Sequence, residues 1–117
     1  MAIVTVQDYV TQARILTQDQ VQPYRYPDTD FLAALNSAVG ESRRLRPDLW
    51  LNATTLPSFT AVDTTTVGVD QQYAMAFVYY LCGQAQMRDE EETEDNRSAM
   101  FMAMFEKRLT GAVNGNR

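Results

Sequence analysis

The chain has 117 residues, 45% of them hydrophobic, and its fifteen Asp and Glu outnumber its ten Lys and Arg to give a formal net charge of -5. That length fits one domain, and the negative balance argues against a surface that grips a polyphosphate as a whole. With no histidine and one cysteine, a Ser-His-Asp triad, a Cys-His pair, a Cys/His zinc site and an internal disulfide are all excluded within the chain.

Met1 to Val6 has no basic start and no long apolar run, so no signal peptide is expected. The first helix is expected from Thr5, with Thr5 as cap, Asp8 at the third helical position and Val4 stapled on Tyr9. Val6, Tyr9, Val10, Ala13 and Leu16 recur at helical spacing, and the pattern fades near Asp19. "VQPYRYPD" is a stiff connector, because each proline disfavours helix in the residue before it. Asp28 is expected to cap a second helix with Asp30 in its first turn. Phe31, Leu32, Leu35, Val39 and Leu45 form its apolar face, and Pro47 marks its end.

From Asp48 to Val69 the texture turns to Thr and Val. This predicts one or two short strands, a hairpin around Asp63, or an extended arm. Asp70 then caps a third helix. Tyr73, Ala74, Phe77 and Leu81 cover one side of it, and Met75, Val78, Cys82 and Ala85 cover another, which predicts a central, buried helix. Gln71 to Met87 carries no charge, but four glutamines make it too polar, and it is too short, for a membrane span. The chain therefore reads as soluble and intracellular. "RDEEETED", Arg88 to Asp95, holds six carboxylates in eight residues and reads as a turn plus the start of a fourth helix, with Thr93 as cap. Phe101, Met104, Phe105 and Leu109 give that helix its core face, with Met100 and Met102 turned elsewhere. Lys107 and Arg108 sit in its last turn and Gly111 ends it. The chain as a whole reads as mainly α. It is a four-helix bundle-like domain over residues 1–110, with a long extended or β-hairpin arm at 48–69 between helices 2 and 3. Residues 111–117 form a flexible tail.

Candidate sites are few. Asp89, Glu90, Glu94 and Asp95 could hold Mg²⁺ or Ca²⁺, but the run lacks the glycine turn and alternating ligands of a calcium loop. No glycine-rich phosphate loop is present, and neither a cofactor nor an enzymatic activity is expected. Arg43 and Arg46 lie on one side of the second helix near Trp50, with Arg44 opposite, an arrangement that suits a subunit or partner contact. Tyr24, Arg25 and Tyr26 place two aromatics and an arginine on a stiff turn, as interface anchors do.

The order of the segments is similar to that of the head-to-tail connector proteins of tailed bacteriophages, also called adaptor or head-completion proteins. The resemblance covers roughly Val4 to Leu109. It rests on the start of the second helix (Tyr26-Pro27-Asp28, Leu35-Asn36), its "RLRPDL" end, and "YYLCGQAQMRDEEETED" leading into the fourth helix. It implies a structural virion protein at the head-tail junction, assembled in the host cytoplasm as a homo-oligomeric ring, typically of twelve copies. Such a ring docks on the portal protein, extends the DNA channel without sequence-specific binding, and receives a tail or nozzle protein. The resemblance also implies that a C-terminal segment, here Ala112, Val113, Asn114, Asn116 and Arg117, contacts the portal. Separated blocks of charge suggest that Arg43, Arg46 and Arg88 on one face meet Glu91, Glu92 and Glu94 of a neighbour in a heterologous contact. The alternative is a small acidic helical binding module of the DNA-mimic or inhibitor type.

Overall fold

A computed structural model describes residues 3–21, 26–51, 57–88 and 95–114. Four helices, α1 (Val6–Thr17), α2 (Asp28–Leu45), α3 (Gln71–Arg88) and α4 (Asp95–Asn114), pack into a small bundle. Among the described residues there is no strand, only an isolated antiparallel bridge between Thr5 and Thr66.

The start of α1 is fixed by its own sequence and by a distant segment. Thr5 Oγ1 accepts from the Asp8 N–H at 3.2 Å, and Asp8 Oδ2 accepts from the Thr5 and Val4 N–H groups at 3.1 Å. This is the reciprocal capping pair that the Thr5/Asp8 spacing predicts. Val4 stays 39% exposed, and its carbonyl accepts instead from the Val67 N–H. A helix start leaves N–H groups without an internal partner. Here the Val6 and Gln7 N–H groups donate to the Thr65 and Asp63 carbonyls at 2.9 and 3.0 Å. The far end of α1 closes on Gln18 in the left-handed region (φ 59°), with the Asp19 N–H returning to the Arg14 carbonyl at 2.8 Å.

α3 is the central helix and touches each of the other three, as its two apolar sides predict. Tyr73, Ala74, Phe77, Val78, Leu81, Cys82 and Ala85 are buried. Successive contacts give the directions. Ile3 meets Gln71, Tyr9 meets Phe77 and Cys82 meets the Ala13 carbonyl, so α1 runs parallel to α3. Phe77 and Tyr80 pack edge-on against Phe105, and Gly83 abuts Phe101 and Met102, so α4 runs antiparallel to α3. Arg46 bonds Tyr73, near the start of α3, so the end of α2 lies there too. One end of the molecule therefore gathers the starts of α1 and α3 with the ends of α2 and α4. The opposite end gathers the ends of α1 and α3 with the starts of α2 and α4.

Four expectations are corrected. Pro27, not Asp28, takes the cap position of α2, with no side-chain cap bond. The polypeptide after α2 is not a free arm: Pro47–Trp50 forms a 3₁₀ turn, and Phe59 and Val67 are buried in the core. Met102 packs against the core, whereas Met104 is half-buried. Finally, α4 runs past Gly111 to Asn114, so Lys107 and Arg108 are interior helical residues and part of the expected tail is helix. Thr93 lies outside the described residues.

Candidate interaction surface

The α1–α2 connection is locked by a buried ion pair. Arg14 lies on the buried side of α1, 6% exposed. Its Nη1 donates to Asp19 Oδ2 at 2.8 Å and to the Tyr26 carbonyl at 2.9 Å, and its Nη2 donates to Asp28. Asp19 Oδ2 also accepts the Tyr26 N–H at 3.0 Å. The guanidinium stands 4.9 Å over the Phe31 ring, which Tyr26 meets edge-on. A buried charge is tolerated where partners satisfy it, and these partners come from both sides of the connector. Sequence reasoning missed this cluster. The available signal was a charged residue, Arg14, placed four residues after Val10 on the apolar stripe.

Two side-chain amides dock the 48–69 segment and the N-terminal strand-like residues. Asn36 Nδ2 donates to the Phe59 carbonyl at 2.9 Å while its Oδ1 accepts the Phe59 N–H at 2.8 Å. Gln71 treats Ile3 the same way, at 2.7 and 3.2 Å. Each amide satisfies both backbone groups of an extended residue, as a neighbouring strand would.

The expected contact residues are dispersed. Tyr26 is buried (4% exposed), an internal anchor rather than a surface ring. Arg46 also turns inward: Nε and Nη2 hold both Asp48 oxygens at 2.9 and 2.7 Å, and Nη1 reaches the Leu109 carbonyl at 2.8 Å and the Tyr73 hydroxyl at 3.2 Å. The bond from Arg46 holds the Asp48 carboxyl below its ordinary range. Trp50 is half-buried, with its Nε1 donating to Ser42 Oγ at 2.9 Å. Arg43 is exposed, and Arg44 pairs with Glu41 at 2.8 Å. Arg88 ends α3. By the helical rise of 1.5 Å per residue it lies about 22 Å from Tyr73, the neighbour of Arg46. Arg43 and Arg46 therefore sit at one end and Arg88 at the other, and the three do not form one basic face. Ala112 to Asn114 belong to α4. Tyr24, Arg25, Glu91, Glu92, Glu94, Asn116 and Arg117 lie outside the described residues.

Among the described residues no group of three or more His, Cys, Asp or Glu could hold a metal ion, and no helix is long and apolar enough to cross a membrane. Asp89 to Glu94 lie outside the described residues.

Before the start of α3, Asp48, Leu49 and Trp50 of the 3₁₀ turn face Gly68, Val69 and Asp70 across a recess of about 260 Å³. Gly68 adopts φ +86° with open space beside its Cα, a conformation that glycine takes without strain. The two ends of the 48–69 segment thus meet. Comparisons with protein families, with characterised proteins and with solved structures return no match to this chain.

Proposed function

We propose that the chain is a ring-forming head-to-tail connector of a tailed bacteriophage. In this reading it docks on the portal protein, extends the DNA channel and receives a tail or nozzle protein. The observation that carries the reading is the order of segments quoted above: a Tyr-Pro-Asp start and an "RLRPDL" end to the second helix, a long Thr/Val-rich insert, and the acidic lead into the fourth helix. These stretches coincide with fixed points of the fold. Asp28 binds Arg14, Asn36 holds Phe59, and Arg46 ties α2 to α4.

A ring needs one face of each copy to meet a different face of the next, and a chain with a net charge of -5 does not grip the phosphates of passing DNA with its whole surface. The C-terminal part, Ala112 to Arg117, is the portal-contacting segment of the proposal. Electron microscopy of the purified chain mixed with portal protein is the test. Rings coaxial with the portal are expected. Separate particles, together with competition against DNA for a basic protein, would favour an acidic binding module instead.

A further inference from the structure

The recess between the 3₁₀ turn and the start of α3 has the chemistry of a receptor for a long basic side chain. Trp50, Leu49 and Val69 give it half-buried apolar walls, and Asp48 and Asp70 add carboxylates. An arginine or lysine lays its aliphatic stem on apolar surface and keeps its charged head near polar groups, and tryptophan is the best aromatic partner for a cation. Asp48 already holds Arg46, whereas Asp70 spends Oδ1 on the Gln72 N–H at 3.2 Å. Leu51, next to the recess, is 78% exposed. An apolar residue left in water beside such walls extends the same contact surface.

We propose that this recess receives Lys107 of a second copy of the chain. Among the described exposed cations, Arg44 is held by Glu41 and Arg108 lies over the Tyr79 ring. Arg43 adjoins Ser42, the Trp50 partner, and so belongs to the recess's own side. Lys107 is exposed and stands two residues from each of the buried Phe105 and Leu109. It is therefore roughly 200° round α4 from either and points away from the core. It also lies at the same end of the molecule as the recess, since the Leu109 carbonyl meets Arg46 and Arg46 meets Asp48. Copies set side by side bring the lysine of one to the recess of the next, a contact between two different faces that can close into a ring.

This inference rests on the ring reading and deepens it. Trp50 is the single tryptophan, so its emission reports on the recess directly. The experiment follows Trp50 emission and native mass of the full chain across a dilution series, for the wild type, Lys107→Glu and Leu51→Asp. Far-ultraviolet circular dichroism checks that both variants remain helical. The expected result is a shift of emission to shorter wavelength as the wild type assembles, with loss of both the shift and the assembly in each variant. Assembly with unchanged emission, or normal assembly of Lys107→Glu, overturns the recess contact and leaves the ring reading standing. No assembly at any concentration, with or without portal protein, overturns both. An emission shift that requires an added basic protein puts a different partner in the recess and overturns the second copy.

Discussion

Replacing Arg14 with methionine would leave the Asp19 carboxylate inside the protein without the guanidinium that faces it. Removing one partner of a buried pair costs about 3–5 kcal/mol, and both Arg14 and Asp19 side chains are under a tenth exposed. Arg14→Met should therefore lower the urea midpoint sharply, more than any single change on the exposed face of α1. Tyr9 behaves in the opposite way. It is fully buried, its hydroxyl has no hydrogen-bond partner among the described residues, and burial pushes its phenol well above the ordinary range. Removing a polar atom that makes no bond leaves nothing unpaired behind. Tyr9→Phe should therefore be neutral or stabilising by up to about 1 kcal/mol in the same titration. Tyr9 was legible in the sequence as a core residue because it sits at helical spacing with Val6 and Val10. Arg14 was not, because a periodicity of apolar residues has no place for a charge whose partners lie 5 and 14 residues onward.

At the scale of elements, the four helices were readable from apolar spacing and from the Thr5 and Asp70 caps. The loop after α2 was not. Its Thr/Val composition predicts strands, a hairpin or an extended arm, whereas Pro47–Trp50 is a 3₁₀ turn and the described backbone beyond it bonds the Asn36 amide and the start of α1 rather than a strand. Asn36 and Gln71 look in sequence like ordinary polar residues of two helices, and nothing local marks them as backbone mimics. The α3–α4 pair turns on Gly83. A Cβ there would stand 2.9 Å from Met102 Sδ and 3.3 Å from Phe101 Cβ. Alanine gains about 1 kcal/mol over glycine in a helix interior, but overpacking costs about 1–3 kcal/mol. The Phe101 Cβ is rooted in the backbone and cannot swing aside, so the clash prevails. Gly83→Ala should destabilise the wild type by about 1 kcal/mol, and a Met102→Ala background should recover only part of that loss, because the Phe101 contact remains, as a double-mutant cycle would show.

For the whole molecule, the pH response follows from carboxylates held below their ordinary range. Backbone N–H groups of Thr5 and Val4 do this to Asp8, Arg44 to Glu41, Arg46 to Asp48, and Thr65 to Asp63. A group with a lowered folded value binds its proton more weakly folded than unfolded. Its stabilisation is complete above the unfolded value and disappears as pH falls through the folded one. With no histidine in the chain, no ordinary side chain changes charge between about pH 5 and 8. Stability should be flat across that range and should fall below about pH 4, where free carboxyls begin to protonate. Asp8→Asn should show a shallower acid decline. Closure of the chain into a ring is read out by native mass spectrometry of the purified protein, alone and with portal protein. A closed homo-oligomer of many copies that persists on the portal is expected. A chain that stays monomeric under both conditions would contradict it.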